Sequence, residues 1–138
     1  MRDKPCFLDT NIWLYAFIKS EDNDKTAIAD QLIKSHRILA SSQVVNELCV
    51  NLIKKAKLSE PQIQELITSF YKKYSTVNLN KEIMVKASAL REQYKFSFWD
   101  SMVVSAALFS DAGTLYTEDM HDSLIVEGKL RIVNPFKQ

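Results

Sequence analysis

Phe96 to Phe109 reads Phe-Ser-Phe-Trp-Asp-Ser-Met-Val-Val-Ser-Ala-Ala-Leu-Phe, and no other stretch restricts the fold as much. Phe98, Met102, Ala106 and Phe109 recur at helical spacing, while Trp99, Val103 and Ala107 fill the adjoining face. A helix apolar almost all round belongs inside a fold, so the remaining elements must cover it. Asp100 is its single ionisable residue. An ionised carboxylate taken out of water is very costly without compensation, so Asp100 requires a cation, a set of donors or an open cleft. Ser97 and Asp100 also have the Ser-x-x-acid spacing of a capping box, which puts Asp100 in the first turn of the helix. The two readings are compatible, because a helix N-terminus opening into a cleft also suits phosphate.

Around this helix, short apolar runs alternate with helical patterns. Cys6–Leu8 stops abruptly at Asp9-Thr10-Asn11 and reads as a buried strand, followed by a helix over Ile12–Ile18 with Thr10 or Asn11 as its cap. Ser20 to Asp24 is a polar break. A helix over Thr26–Ser35 precedes a strand at Arg37–Ala40, and Ser41 or Ser42 caps a third helix reaching about Lys57. Ser59 caps a fourth helix with Pro61 in its first turn, ending near Tyr74. Strands at Thr76–Leu79, Thr114–Thr117 and Leu130–Val133 and a helix over Lys81–Tyr94 complete the pattern. The expectation is one α/β domain spanning residues 1–138, with a short, mainly parallel sheet flanked by helices. With 138 residues, such a domain buries roughly two thirds of its unfolded surface.

Ligands of such sheets sit beyond the carboxyl ends of the strands. Asp9 follows the first strand, Asp119 follows the Thr114–Thr117 strand, and Asp100 stands at the N-terminus of the central helix. Converging carboxylates repel, and a hard divalent cation is the simplest compensation. An all-oxygen set suits Mg²⁺ or Mn²⁺; zinc fits less well, since neither His36, His121 nor the two cysteines complete a zinc spacing. Each acid has an ordinary reading as well. Asp9 can simply open a turn, and Asp119 belongs to the polar run Glu118, Asp119, Asp122. Glu47 falls outside the apolar stripe of Val44, Val45, Leu48, Leu52 and Ile53, so periodicity makes it a surface residue.

At these residues the chain resembles the PIN-domain nucleases, in particular the small VapC-type toxins of bacterial toxin–antitoxin pairs. Four motifs carry the resemblance, in order and over nearly the whole chain: Phe7-Leu8-Asp9-Thr10-Asn11, Ser42-Gln43-Val44-Val45-Asn46-Glu47-Leu48, Phe96-Ser97-Phe98-Trp99-Asp100 and Leu115-Tyr116-Thr117-Glu118-Asp119-Met120. The resemblance implies a PIN-like three-layer sandwich. It implies that Asp9, Glu47, Asp100 and Asp119 bind metal and catalyse hydrolysis of RNA phosphodiesters with one or two Mg²⁺ ions, without a covalent protein intermediate. It raises Glu47 from surface residue to site residue, makes Thr10, Asn11 and Thr117 groups that orient the carboxylates, and lets Asp122 share or replace the role of Asp119. Lys54, Lys55, Lys57, Lys72 and Lys73 are candidates for meeting RNA, or ordinary solvated faces. A homodimer and a cognate antitoxin covering the cleft are further implications.

Two other functions stay open beside this one: a catalytically inactive PIN-like domain that binds RNA, and a non-enzymatic acidic-cleft module of the receiver type. A receiver wants an acidic pair where Asp9 is followed by Thr10 and Asn11, and an acceptor Asp after a central strand, where Leu79-Asn80 stands. An aspartyl-phosphate phosphohydrolase would need an acid at Asn11. Composition, 46% hydrophobic and 25% charged, indicates a soluble globular chain, and the formal net charge of +1 neither demands nor forbids nucleic acid. Cys6 and Cys49 read as small core residues. With no signal-type segment after Met1–Cys6 and no run of membrane-spanning length, the expected location is a reducing cytoplasm.

Overall fold

The computed structural model describes residues 4–18 and 23–137. Its elements are β1 (Cys6–Leu8), α1 (Thr10–Phe17), α2 (Asn23–Ser35), β2 (Ile38–Ser41), α3 (Ser42–Ala56), α4 (Glu60–Lys73), β3 (Ser75–Val77), α5 (Lys81–Tyr94), α6 (Phe98–Phe109), β4 (Thr114–Tyr116), β5 (Ile125–Val126) and β6 (Leu130–Val133). The strands form one sheet in the order β3-β2-β1-β4-β6-β5, parallel except for β5 against β6. Helices α1 to α4 pack on one another in sequence-adjacent and near-adjacent pairs, while α5 packs on α6 and α6 on β2. This is the α/β architecture, a mainly parallel sheet flanked by helices, that the alternating pattern implies.

Strands of three or four residues are too short for a clean alternation, and here both faces are covered. Phe7, Leu8, Leu115 and Ile132 are fully buried at the sheet centre. Trp13 of α1 meets Phe70 and Tyr74 edge-on at 4.8 and 5.0 Å between ring centroids, which fastens α1 to the end of α4. Cys6 and Cys49 are both buried, as core residues. No helix among the described residues is long and apolar enough to cross a membrane.

The chain leaves β1 outward through β2 to β3, then returns through α5 and α6 to β4 on the other side of β1. Strand order thus reverses at β1, and the crevice at such a reversal is where α/β sheets place ligands. Asp9 N donates to the Tyr116 carbonyl (3.0 Å), and Thr117 N to the Val133 carbonyl (3.0 Å). The ladder therefore runs one residue past both strands and fixes Asp9 beside Thr117.

Several local expectations shift. The cap of α1 is Asp9, not Thr10 or Asn11: its Oδ1 accepts from Thr10 N at 2.8 Å. The third strand ends at Val77, because Ser42 Oγ captures Leu79 N (3.0 Å) and Asn80 caps α5. The second strand runs from Ile38 to Ser41, with Ser41 capping α3. Helix α2 begins at Asn23, inside the expected polar break, whose Ser20, Glu21 and Asp22 lie outside the described residues. Strand β5 is additional. The largest correction concerns α6. It is buried from Ser101 to Ala107, but Phe98, Trp99 and Phe109 are about half exposed or more (54%, 61% and 49%). Ser97 caps it, accepting from Asp100 N at 3.2 Å, so its first turn stands at the rim. Arg91 of α5 holds that turn, donating to Ser101 Oγ (2.8 Å) with its guanidinium 4.5 Å from the Phe98 ring centroid.

Candidate active site

A cleft of about 450 Å³ opens at the carboxyl edge of the sheet. Asp9 from the end of β1, Glu47 from α3, Asp100 from α6 and Asp119 from beyond β4 all line it. Thr10 and Asn11 line it too, together with Leu14, Gln43, Asn46, Val50, Asn51, Trp99 and Val103. Glu47 reaches the cleft because α3 packs on α1, a tertiary contact that helical periodicity does not report.

Three of the four carboxylates, those of Asp9, Glu47 and Asp119, are oriented by partners on α1 or just past β4. Asp9, 9% exposed, accepts from Thr117 Oγ1 through Oδ2 (2.8 Å) and from Thr10 N through Oδ1. Thr10 Oγ1 donates to Glu47 Oε1 (2.7 Å), and Asn11 Nδ2 to Asp119 Oδ2 (2.8 Å). Thr117 Oγ1 also accepts from Asp119 N (3.3 Å), so one hydroxyl serves two of the acids. Asn51 Nδ2 donates to the Glu47 carbonyl (2.8 Å) and steadies that turn of α3. Asp122 is placed differently: its Oδ1 accepts from Asn134 N (2.8 Å), tying the loop after β4 to the end of β6, and it does not line the cleft. Glu118 faces away toward α1 and α2, pairing with Lys25 and accepting from Tyr15 Oη.

Burial lifts the Asp9 carboxyl to about 6; the bonds from Thr117 and Thr10 oppose the rise, and the charges of Glu47 and Asp100 add to it. Burial also raises Asp100, against the bond with Ser97 and with the charge of Asp119. The acids thus sense one another electrostatically. Even so, among the described residues no three Asp, Glu, His or Cys side chains stand close enough to form a ready-made metal cage. The donor set nevertheless fits a hard dication: four carboxylates on one wall system, and a buried Asn11 Oδ1 that has no hydrogen-bond partner.

The cleft continues on both sides. Asn11 and Leu14 also line a hollow containing Lys55, and Asp100 and Asp119 border another that contains Lys95 and His121. Lys95 and His121 were not singled out by charge clustering, being isolated in sequence. Lys73 lies instead at the opposite edge of the sheet, beside Arg37 and Ser75, because α4 runs into the start of β3. Lys72 shares that last turn, so these two lysines do not flank the acids.

The Asp9–Thr117 bond has a measurable consequence. Thr117→Val removes a hydrogen bond to a buried carboxylate, which is expected to cost about 1.5–3 kcal/mol at pH 8, where Asp9 is charged. At pH 4 Asp9 is protonated in the fold and the loss should fall to about 1 kcal/mol. Urea unfolding at the two pH values checks this, and an equal loss at both would show that Thr117 does not serve the Asp9 charge.

Comparison with known proteins places the fold. A toxin–antitoxin complex from Klebsiella pneumoniae superposes with a TM-score of 0.72 at 21% identity, covering 96% of this chain and 99% of that one. VapC20 from Mycobacterium tuberculosis, a sarcin–ricin loop cleaving toxin, gives 0.66 at 13% identity over 80% and 86% of the two chains. VapBC2 from Rickettsia felis, bound to a promoter DNA fragment, gives 0.63 at 22% identity over 94% and 98%. At these identities the likeness establishes a shared fold. No curated protein is significantly similar in sequence. The sequence profile of the PIN domain matches residues 6–121, from β1 past the last of the four acids. The chain therefore belongs to the PIN-domain family.

Proposed function

We propose that this protein is a metal-dependent endoribonuclease and the toxin of a toxin–antitoxin pair. The observation that carries the reading is the meeting of Asp9, Glu47, Asp100 and Asp119, distant in sequence, on one cleft. These four would hold Mg²⁺ or Mn²⁺. When bound, the ion offsets charge on the phosphate and leaving oxygens and makes water more acidic. The remaining work falls to the chain. Thr10, Asn11 and Thr117 hold the carboxylates in place, and Glu47 or Asp119 accepts the proton of the attacking water. The water oxygen bonds to phosphorus as the phosphorus–oxygen bond to the departing nucleotide breaks. Lys55 on one flank and Lys95 with His121 on the other offer positive charge to a strand crossing the acidic centre.

VapC20 is a toxin that cleaves the sarcin–ricin loop, which supports RNA as the substrate class. The Klebsiella structure is a toxin–antitoxin complex, which supports a protein antitoxin as partner. Exposed Trp99 and Val50 line the cleft, exposed Phe98 packs against Trp99, and this apolar rim suits the apolar face of such a segment.

The test is cleavage of RNA by the purified chain with Mg²⁺ or Mn²⁺, stopped by chelator. Glu47→Gln should reduce cleavage tenfold or more, on the order of the losses that follow disturbance of metal sites. A surface glutamate would change stability by less than about 0.5 kcal/mol and leave cleavage alone. Full cleavage in chelator, or by a folded Asp100→Asn variant, would overturn the proposal.

A further inference from the structure

Gln43 stands apart from the other residues of the cleft. It lies in the first turn of α3, is 5% exposed, and lines the cleft, yet neither Nε2 nor Oε1 of its carboxamide has a hydrogen-bond partner. Buried polar atoms are almost always paired, and a buried amide with both ends open is an exception that asks for a ligand. The four carboxylates and a phosphate oxygen are acceptors and can satisfy only Nε2; a metal ion can satisfy only Oε1. A group that donates and accepts at once satisfies both; water does so in the free cleft, and a substrate hydroxyl that replaces that water does so in the complex.

Position selects which hydroxyl. Gln43 precedes Glu47 by one helical turn, and residues four apart on a helix have Cβ atoms about 5–6 Å from each other on the same face. If Glu47 serves the scissile phosphate, Gln43 lies within one nucleotide of it, at the adjoining ribose. The 2′-hydroxyl sits on that ribose next to the phosphate, and it is the group by which a protein tells RNA from DNA. We propose that the Gln43 carboxamide exchanges hydrogen bonds with the 2′-hydroxyl of the nucleotide adjoining the scissile phosphate, and so positions ribose and excludes deoxyribose. This rests on the nuclease reading above and adds the residue that selects the sugar.

The experiment compares binding of two fluorescent single-stranded pools of mixed sequence. One is RNA; the other has deoxyribose throughout and deoxyuridine for uridine, so that only the 2′-hydroxyl differs. Calcium replaces magnesium, gels verify that the strands stay intact, and anisotropy gives Kd. The wild type should bind RNA about tenfold tighter than the DNA pool, the usual scale for leaving one buried polar group unsatisfied. Gln43→Met keeps the length, removes both polar atoms, and should bring the two affinities within about twofold. Its thermal midpoint should stay level or rise, because replacing an unpaired buried amide by apolar atoms is neutral or stabilising, whereas a structural glutamine would lower it. Equal wild-type affinity for the two pools overturns the proposal and leaves the nuclease reading standing. So does a preference for RNA that survives in Gln43→Met. Binding to neither pool overturns the nucleic-acid reading itself, and this one with it.

Discussion

Asp9→Asn is expected to lose RNA cleavage on the order of a hundredfold or more while becoming the more stable protein at neutral pH; disturbing the partners of metal ligands typically costs 10–100-fold, and Asp9 is itself proposed as a ligand. The gain in stability follows from its burial. Its carboxyl is raised from the ordinary 3.8 to about 6 in the fold. Charging it therefore opposes folding. The contribution that favours the fold is complete below the ordinary carboxylate range and is lost as pH rises through about 6. A shift of this size corresponds to about 3 kcal/mol, and the loss of one accepted hydrogen bond reduces the expected net gain of Asp9→Asn to about 1–2 kcal/mol above pH 6. Below pH 4 the advantage should vanish. Denaturant unfolding from pH 4 to 8 in chelator, beside a cleavage assay, measures both effects. A variant less stable than wild type at pH 7 would mean that Asp9 is retained as a helix cap, and retained cleavage would remove it from the site.

Both roles of Asp9 are written in the same few residues. An apolar run that stops at an acid marks a strand end, and the strand-end rule brings Asp9 and Asp119 to one edge without knowledge of the family. Asp100 announces itself by being the one charge in an apolar helix. Glu47 does not. Its neighbours on α3 form a regular stripe that excludes it, and only the packing of α3 on α1 turns it toward Thr10, so a resemblance was needed to single it out. Gln43, Glu47 and Val50 do share one helical face, a spacing that marks a second, cleft-facing stripe beside the core stripe.

Elsewhere the missing information was conformational. Strand β5 has two residues, and its turn to β6 places Glu127 and Gly128 at φ 53° and 66°. Asn or Asp is the usual partner of glycine in such a turn, so Glu-Gly did not signal a hairpin. Lys72 and Lys73 are the converse case. Under the family resemblance their charge makes them candidates for meeting RNA or ordinary solvated faces, but a helix that feeds the start of a parallel strand ends at the edge opposite the ligand crevice. The exposed Phe98 and Trp99 show the limit of reading burial from hydrophobicity. A helix that opens at a cleft must carry its first turn out to the rim, and apolar residues there face solvent, substrate or partner.

The carboxylate cluster can be tested without any RNA. In metal-free protein burial, and then the charge of Asp119, raise the Asp100 carboxyl, so ionised Asp100 opposes folding at neutral pH. Asp100→Asn keeps the size of the side chain and removes the charge. It should therefore raise the thermal midpoint in chelator. Metal should act in the opposite sense on the pair. Binding to the folded state adds RT ln(1 + [L]/Kd), or about 2.7 kcal/mol at a hundredfold excess over Kd, and the wild type should show a gain of that order in Mn²⁺. The variant, with one ligand fewer, should gain much less at the same concentration. Asp100 also stands in the first turn of α6, and a purely capping role predicts the reverse. The wild type would then be indifferent to metal, and the variant slightly less stable, since a charge that favours the helix N-terminus would be lost. Thermal unfolding of both proteins, with and without Mn²⁺ at fixed ionic strength, separates the two. An indifferent wild type together with a destabilised variant would falsify the assignment of Asp100 as a metal ligand.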